Sequence, residues 1–425
     1  MACLATFAGS GVSQAVLGAM QDFIFDDMGW SRTTIAFAAT SGTWCAALMS
    51  PLIGRFADRY GPRWLMPVGL LIGGTSFFFL AGIQAVWHFY AAYIVGRALG
   101  GQMLIGLVTR TTAVNFFRRK RNLALALTST FRPVGVAINI MVMSIIATRY
   151  GWRASYHYLG VLSLFLVLPL LVFMRRRPED IGLLPDGDRS TVATYSSPGR
   201  QVGNRGTAVQ RSSEFSWTVR EAFATRTLWF IIATSFLGTT ASSSLGFSLK
   251  PYLVEVGLSQ NHAAAVLSLG TVLAIVNVGW SFLADKFSPR YCLILALLMT
   301  ATMNVYLITV NSLLTAYIFS VLWGLSARTI GSLEHMMLAQ YYGRDSYGSM
   351  LGTLGPIQTF GLGLGPTLGA LFRDAFGSYD YLYIVLFGFY LAAALCAFFA
   401  GIPPRPARSF TELVPDAELA PENPS

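Results

Sequence analysis

The chain has 425 residues, of which 54% are apolar types and only 12% are charged. Soluble chains carry about 25% charged residues, so this composition excludes a disordered protein, a disulfide scaffold and an ordinary cytosolic enzyme. The formal net charge of +10 does not require a nucleic-acid partner, because basic residues accumulate on the cytoplasmic side of membrane proteins.

Twelve apolar stretches near the spanning length of about 20 residues predict an all-α integral membrane fold. The first six lie at 2–21, 33–54, 64–85, 88–116, 122–148 and 154–174. The other six lie at 226–250, 262–284, 291–310, 313–339, 347–372 and 380–401. The predicted parts are therefore an N-terminal six-helix half (1–174), a linker (175–225), a C-terminal six-helix half (226–401) and a tail (402–425).

The polar segments have compositions that favour disorder. The middle of the linker, 187–213, is rich in Ser, Gly and Arg and is typical of a flexible connection. The tail is rich in Pro and acidic residues and is predicted to be disordered. The first span has no basic leader, and a polar stripe of Ser10, Gln14 and Gln21 runs along it. It is therefore predicted to be a retained helix rather than a signal peptide.

The distribution of basic residues predicts the orientation in the membrane. If both termini are cytoplasmic, 21 of the 30 basic residues fall in cytoplasmic segments, four in outer loops and five inside spans. This bias follows the positive-inside rule. The excess of 27 Arg over 3 Lys favours a bacterial cytoplasmic (inner) membrane as the location.

Two sequence motifs occur once in each half. The segment Gly54–Arg63 after span 2 corresponds to Ser281–Arg290 after span 8, at an offset of 227 residues. Asn115–Arg118 after span 4 likewise corresponds to Gln340–Arg344 after span 10. Two six-helix halves in parallel repeat are typical of secondary transporters.

These motifs resemble those of a known superfamily. Gly54–Arg63 resembles the loop 2–3 motif of the major facilitator superfamily, and Gly96–Gly101 resembles its helix-4 arginine motif. Within the superfamily, Phe116–Ala124 resembles the helix-5 entry signature of the monocarboxylate transporter family and its bacterial relatives. Three further segments resemble the same group: Gly29–Arg32, Arg177–Asp180 and Lys250–Leu253.

The resemblance implies roles for charged residues at the cytoplasmic helix ends. Asp58 with Arg59, and Asp285 with Lys286, are implied to hold the outward-open state through charge contacts, and Arg63 and Arg290 complete the two motifs. The alternative is that these are ordinary surface ion pairs, which contribute about 0–1 kcal/mol.

The chain departs from the family pattern in span 8. There the resemblance implies an Asp and an Arg, but the positions hold Leu273 and Asn277. Proton symport of the lactate type is therefore not predicted, whereas an organic-anion substrate is. Asn277 remains a candidate substrate contact.

Cations inside the spans point to an anionic solute. The five are Arg97, Arg110, Arg132, Lys250 and Arg328. Glu334 is the only carboxylate clearly inside a span. A charged side chain at the middle of the bilayer costs about 2.5–3.5 kcal/mol, so these cations are expected to face water, a partner or a substrate.

Arg132 in span 5 and Arg328 in span 10 come from opposite halves and lie near the membrane midplane. They are predicted to form a two-sided carboxylate clamp, because the guanidinium group binds a carboxylate bidentately. Asn139 shares the face of Arg132 and is included in the site. The alternative is that the arginines are structural and braced on carbonyl oxygens.

The remaining candidates are weighed against simpler roles. Gln14 is expected either to contact substrate or to pack between helices, and Lys250 either to contact substrate or to extend to the membrane surface. Arg97 and Arg110 lie 13 residues apart, about 220° around a helix, so they are not expected to serve one site. The resemblance implies a structural or coupling role for Arg97.

Glu334 and His335 form the only titratable pair deep in a span. They are candidates for proton coupling, since His titrates near neutral pH and intramembrane carboxylates serve as proton relays. The alternative is that Glu334 pairs with Arg344 or with the basic run at 118–121.

The sequence therefore predicts a secondary active transporter of small organic anions, mono- or dicarboxylates, working by alternating access. Protons or a counter-anion are the coupling partners left open, and the lipid bilayer is the surrounding partner. Efflux of drugs is the alternative, although an exporter of cations is expected to carry carboxylates in its cavity. A transporter-like sensor is disfavoured because no large soluble domain is predicted. No Walker loop, dinucleotide motif, metal cluster or nucleophile motif is found, so neither a cofactor nor an enzyme is predicted.

Overall fold

The computed structural model describes residues 2–60, 62–106, 121–173, 219–342 and 347–404. The predicted flexible linker at 187–213, Arg110, Arg344 and the residues from 405 onward lie outside these ranges. The described residues are nearly all helical, as predicted.

Twelve helical segments, α1 to α12, follow in chain order. The first half contains α1 (Ala2–Gly9, Ser10–Val12 and Gln14–Met28), α2 (Arg32–Tyr60), α3 (Pro62–Ala81), α4 (Val86–Val95, continued by Gly96–Gly106), α5 (Arg121–Tyr150) and α6 (Trp152–Phe173). A short helix, Val219–Ala224, precedes the second half. The second half contains α7 (Arg226–Glu255), α8 (Gln260–Val272, Leu273–Val276 and Asn277–Phe287), α9 (Pro289–Ile308), α10 (Leu313–Ser326 and Ile330–Tyr342), α11 (Tyr347–Phe376) and α12 (Asp380–Phe399). Within the described ranges, eight of these helices contain a stretch long and apolar enough to cross a membrane: α2, α3, α5, α6, α7, α9, α10 and α12.

Local sequence signals set the helix ends. The hydroxyl of Ser259 accepts a hydrogen bond from the backbone N–H of His262 and begins α8. Ser312 and Thr315 form a capping box at the start of α10. Gly29 ends α1 with φ of 66°, in the left-handed region that favours glycine. Where both ends are described, the next helix follows within a few residues, as between Met28 of α1 and Arg32 of α2.

The two halves meet along three pairs of helices: α1 with α7, α2 with α11, and α5 with α8. Within the second half, α11 packs closely on α7 through small residues. A Cβ atom at Gly365 would lie 2.6 Å from the backbone N of Ser244, and one at Gly361 would lie 2.8 Å from the hydroxyl of Thr240. The small-residue spacing in this helix thus has the close-packing role typical of membrane helices.

Charged residues join the halves at one end of the bundle, here called the sealed end, where α1 connects to α2 and α7 connects to α8. Arg32 of the first half contacts Asp22 at 2.9 Å and Glu255 of the second half at 3.4 Å. Glu255 also accepts a hydrogen bond from Arg373 Nε at 2.7 Å, and Arg32 donates to the hydroxyl of Tyr379. Asp22, Arg32, Glu255 and Arg373 are together called the sealed-end network.

The first span is longer than predicted. The interval 2–21 was expected to end before Asp22, but the helix continues to Met28. Asp22 is only 5% exposed, so Glu334 is not the sole carboxylate inside a helix. Asp22 pairs with Arg32 and also lies near enough to Lys250 for a charge interaction, whereas it is not among the described residues that line the cavity with the arginines.

Candidate binding cavity

A cavity of about 390 Å³ lies between the halves. Its walls come from α1, α4 and α5 of the first half and from α7, α8, α10 and α11 of the second. The polar and charged residues that line it are Ser13, Gln14, Arg97, Arg132, Ser242, Ser243, Thr271 and Arg328. Its apolar lining includes Val136, Phe247 and Leu362. Its size falls in the range of small-molecule sites, about 300–1,000 Å³.

Three arginines share this cavity. Arg97 and Arg132 come from the first half and Arg328 from the second, and no Asp or Glu is among the described residues that line it. The structure thus brings the two predicted clamp residues together. It also adds Arg97, for which the resemblance implied a structural or coupling role.

Helices are interrupted where they line the cavity. Regular α-helix gives way at Ser10–Ser13 in α1, at Gly96–Gly106 in α4, at Leu273–Val276 in α8 and at 327–329 in α10. The α4 segment is a π-helix and contains Arg97. Irregular backbone at membrane depth is tolerated where it lines a cavity, and π-helical segments are frequent at functional sites. The coincidence marks this cavity as the candidate functional site.

Arg97 is held against the interruption of α1. Its Nη1 donates to the carbonyl of Val12 at 3.4 Å, and the hydroxyl of Tyr93 donates to the same carbonyl at 3.2 Å. Gly42 of α2 leaves room for the side chain, since a Cβ there would lie 3.2 Å from Cβ and Cγ of Arg97. The guanidinium is therefore positioned by neutral groups at the cavity wall.

Arg328 lies in the turn at 327–329 that divides α10, an interruption that the prediction of a span over 313–339 did not include. The hydroxyls of Thr329 and Ser332 bond to nearby backbone carbonyls, which competes with helical hydrogen bonding. Because of this turn, Ser332 and His335 do not follow Arg328 at regular helical spacing. Arg328 donates to the Thr271 hydroxyl at 3.2 Å, and its guanidinium lies 4.6 Å from the ring centre of Trp323.

Gln14 lines the cavity, but its amide is engaged with both halves. Its Nε2 donates to the hydroxyl of Thr43 at 2.7 Å and to the carbonyl of Leu362 at 3.1 Å. Its Oε1 accepts from the hydroxyl of Ser243 at 3.0 Å. The carbonyl of Leu362 is open to these donors because Pro366, four residues later, has no backbone N–H. The Gln14 node is defined here as Gln14, Thr43, Ser243 and Leu362.

Contacts between α2 and α11 extend from the sealed end to the level of this node. They comprise Thr33 N to Asp374 at 2.9 Å, the Thr40 hydroxyl to the Gly363 carbonyl at 2.5 Å, and Trp44 Nε1 to the Phe360 carbonyl at 3.3 Å. The rings of Trp44 and Phe360 stack with centres 5.0 Å apart. The halves are therefore closed against each other from the sealed end to the cavity.

Two predicted substrate contacts, Lys250 and Asn139, do not line the cavity. Lys250 is fully buried, donates to the carbonyl of Ala19 and lies 4.5 Å from the ring centre of Phe23. The alternative that Lys250 extends to the membrane surface is therefore wrong. Asn139 is fully buried and donates to the Phe7 carbonyl and to the Ser10 hydroxyl at 2.8 Å, so it supports the interruption of α1. The side chain of Asn277 lies outside the described residues.

Glu334 lies apart from the cavity among neutral groups. Its Oε2 accepts from the hydroxyl of Ser235 at 2.5 Å and from Nε2 of Gln358 at 3.4 Å. Its Oε1 is buried with no hydrogen-bond partner. The expected alternative partners, Arg344 and the basic residues 118–120, lie outside the described residues, as does the side chain of Arg121. His335 is not among the described residues that line the cavity.

The predicted gating residues are only partly described. The side chains of Asp58 and Asp285 lie outside the described residues, so their charge contacts stay predictions. Arg59, Arg63 and Lys286 each lie over the aromatic ring of the next residue, with distances of 5.5, 5.8 and 5.7 Å to the ring centres. Arg290 donates to the carbonyls of Ala397 and Phe398 of α12, so its described contacts lie within its own half.

Sequence reasoning missed the sealed-end network and the polar partners of Glu334. Arg32 and Arg373 were assigned to outer loops, and Glu255 lay just beyond the predicted end of its span. The one available signal was Asp22 directly after Gln21, because an acidic residue that continues a polar stripe suggests that the helix extends further. The serine lining from Ser242 and Ser243 was also missed, since serine is common in membrane helices without any role in binding.

The chain is similar to known transporters along nearly its whole length. The oxalate:formate antiporter of Oxalobacter formigenes is 24% identical over 406 residues, which cover 92% of this chain and 88% of the antiporter. Monocarboxylate transporter 2 of Rattus norvegicus is 24% identical over 394 residues, 89% of this chain and 78% of that protein. The fold is similar to the crystal structure of a bacterial homologue of the human lysosomal transporter Spinster, with a TM-score of 0.70 and 15% identity over 94% of this chain and 95% of that one.

The family model of the Major Facilitator Superfamily matches residues 2–279 and again residues 263–421. The double match and the structural neighbour confirm the predicted all-α membrane fold of two six-helix halves. They also indicate a multi-pass membrane transporter rather than an enzyme. The chain belongs to the Major Facilitator Superfamily.

Proposed function

We propose that this protein moves small organic anions, mono- or dicarboxylates, across the membrane by alternating access, and that it binds them in the cavity between its halves. One observation carries the proposal: arginines from both halves line a single cavity whose described lining contains no carboxylate. A carboxylate bound there would receive charge-assisted, bidentate hydrogen bonds from guanidinium groups. The two relatives described above, whose names refer to oxalate, formate and monocarboxylates, support the same class of substrate.

The closed contacts at the sealed end indicate from which side of the membrane a substrate reaches the cavity. The sealed-end network and the contacts between α2 and α11 block approach from that end. The basic residues near the opposite end favour a cytoplasmic location for it under the positive-inside rule. We therefore infer an inward-facing arrangement in a bacterial cytoplasmic membrane, in which transport requires the sealed end to open.

Efflux of cationic drugs is the less favoured function for this cavity. A cationic ligand would be repelled by Arg97, Arg132 and Arg328, and its recognition would require acidic groups that the described lining does not contain. Neutral substrates are not repelled, so they belong in the test.

The test is thermal stability of the purified protein with three kinds of compound. Benzoate, oxalate and succinate represent carboxylates, glucose represents neutral solutes, and tetraphenylphosphonium represents lipophilic cations. A ligand at a hundredfold excess over its Kd stabilises the folded state by about 2.7 kcal/mol. We expect stabilisation by at least one carboxylate, lost in Arg132→Ala and in Arg328→Ala.

Arg149→Ala is the matched control, since Arg149 lies on the same helix as Arg132 but is exposed near the sealed end. This variant should keep the full carboxylate response. Stabilisation by glucose or tetraphenylphosphonium that survives both cavity substitutions would contradict the proposal and leave the arginines as structural braces.

A further inference from the structure

A buried carboxyl group lies in the second half, outside the anion cavity. Glu334, on the second part of α10, is 2% exposed. Two neutral donors, Ser235 of α7 and Gln358 of α11, converge on its Oε2. Its Oε1 is buried and has no hydrogen-bond partner. An ionised carboxylate in this place would keep one oxygen without any donor.

Among the described residues, the hydrogen-bond partners of this carboxyl group are neutral. From α7 it faces Ser235 and Gly238, and from α11 it faces Gln358, all of which are neutral. On α9, which also packs against α10, Arg290 contacts carbonyls of α12 and interacts with the hydroxyl of Tyr341 rather than with Glu334. On α8, which packs there too, Lys286 lies over the ring of Phe287, and the side chain of Asp285 lies outside the described residues. His335 is the next residue along α10. No described ion pair therefore stabilises the charged form of Glu334.

We propose that Glu334 is a proton-binding site that couples proton movement to transport of the anion. Burial among neutral described groups favours the neutral, protonated carboxyl group. The hydroxyl of Ser235 can donate to a carboxylate or accept from a carboxylic acid, so it serves both protonation states. The Glu334 O–H bond forms with a proton from the water on one side of the membrane, and the same proton is released to the other side. This inference rests on the proposed function, since it assigns the partner ion of that transport.

The same helices link the proton site to the cavity and to the closure of the halves. Arg328 in the cavity lies six residues before Glu334 on α10. The helices that surround Glu334, α7 and α11, also carry Ser243 and Leu362 of the Gln14 node. When the halves separate at the sealed end, α7 and α11 lose these contacts with the first half. A shift of either helix changes the donors and the water around Glu334, and this gives the proton a route to solvent.

Proton binding can be tested without any substrate. Infrared difference titration of the full-length purified protein follows the C=O stretch of protonated carboxyl groups between pH 5 and pH 9. We expect one buried carboxyl group to titrate, and this band to be absent in Glu334→Gln. Ser235→Ala removes a hydrogen-bond partner of the carboxyl group and should shift the frequency of this C=O band. Asp26→Asn, at an exposed carboxylate, should leave the band unchanged.

Coupling is tested in proteoliposomes with radiolabelled benzoate, oxalate and succinate. Accumulation driven by a pH gradient should fall at least tenfold in Glu334→Gln. Exchange of labelled for unlabelled anion without a gradient should stay within about twofold of wild type, and this retained exchange shows that the variant is folded. Accumulation equal to wild type in Glu334→Gln, or a band that persists in this variant, would overturn the inference.

The two proposals fail in different ways. If no anion is transported but the Glu334 band titrates, the proposed substrate class is wrong and the proton site stands. If anions are exchanged but no pH gradient drives accumulation in wild type, the proposed function stands and the coupling role of Glu334 is wrong.

Discussion

At the scale of the residue, the chemistry of the cavity depends on how each guanidinium is oriented. Arg97 contacts the carbonyl of Val12, and Arg328 contacts the hydroxyl of Thr271 and lies over the ring of Trp323. These neutral contacts fix the direction of the group without cancelling its charge. The side chains are therefore arranged before an anion arrives, and binding loses less entropy than it would with mobile side chains.

Replacing Arg328 by lysine separates charge from geometry. Arg328→Lys keeps the positive charge but loses the planar fork that binds a carboxylate bidentately and stacks on Trp323. We expect the Kd for the best carboxylate to rise about tenfold, equivalent to about 1.4 kcal/mol. Isothermal titration calorimetry of the purified protein measures this. Arg149→Lys is the control, and equal affinity in both variants would show that charge alone is recognised.

At the scale of the element, the sequence predicts where helices lie better than where they are interrupted. Apolar runs predict the positions of helices because membrane-spanning backbone must satisfy its own hydrogen bonds. The turn after Ser326 could not be predicted, because it depends on the hydroxyl of Thr329 bonding to the Ser326 carbonyl at 2.6 Å. The interruption in α1 likewise depends on Asn139 of α5, a tertiary contact without any sequence period.

The same reasoning explains which site residues could be predicted. Arg132 and Arg328 stand out because a cation in an apolar run requires a partner or water. The engagement of Gln14 could not be predicted, since the Leu362 carbonyl that it contacts is 348 residues away. Lys250 has the same signal as the cavity arginines but is buried elsewhere, against the carbonyl of Ala19. A buried cation thus indicates a polar environment, and only the fold decides which one.

Close packing of α11 on α7 gives a prediction at the same scale. In Gly365→Ala the new Cβ would lie 2.6 Å from the backbone N of Ser244 and 2.8 Å from the carbonyl of Thr240. Because these are backbone atoms, the helices must separate, and overpacking of this kind costs about 1–3 kcal/mol. We expect a lower melting temperature in thermal unfolding. Gly388→Ala on α12 has no atom within 4 Å of its Cβ and should melt like wild type, whereas equal melting of Gly365→Ala would contradict the tight contact.

At the scale of the whole molecule, two layers of contact hold the halves together on one side of the cavity. The sealed-end network joins them through charge, and the Gln14 node joins them through neutral hydrogen bonds. Gln14, Ser243 and Leu362 of the node also line the cavity, whereas no residue of the sealed-end network does. The two layers should therefore respond differently to substitution.

The sealed-end network is the outer of these two layers, and it is tested by Glu255→Gln. Loss of the carboxylate removes the ion pair with Arg32 across the halves, and a partly exposed pair of this kind contributes about 1 kcal/mol. The ratio of open to closed molecules should rise up to about fivefold. Spin labels on cysteines placed at Tyr150 and Tyr381, exposed residues near the sealed end in opposite halves, report the change as a longer distance.

Asp27→Asn is the matched control for this variant. Asp27 contacts Arg153 near the same end, but both residues belong to the first half. Loss of the Asp27 carboxylate should leave the distribution of distances between the spin labels unchanged. Identical distributions for Glu255→Gln and wild type would mean that the network does not restrain the halves.

The Gln14 node, the inner of the two layers, gives a sharper test of what holds the halves together. Gln14 acts either as a ligand of the anion or as a restraint on the halves. Gln14→Leu keeps the approximate volume but removes the hydrogen bonds to Thr43, Leu362 and Ser243. A role as restraint predicts a shift toward the open distance between the same spin labels without any substrate. Ser243→Ala, which removes only one of the node's hydrogen bonds between the halves, should shift the distance in the same direction by a smaller amount. The double variant should then add little to Gln14→Leu, since the interaction between residues in contact is not additive. If Gln14→Leu leaves the distances unchanged and only weakens carboxylate binding, Gln14 is a ligand, and closure depends on the sealed-end network and the contacts of α2 with α11 alone.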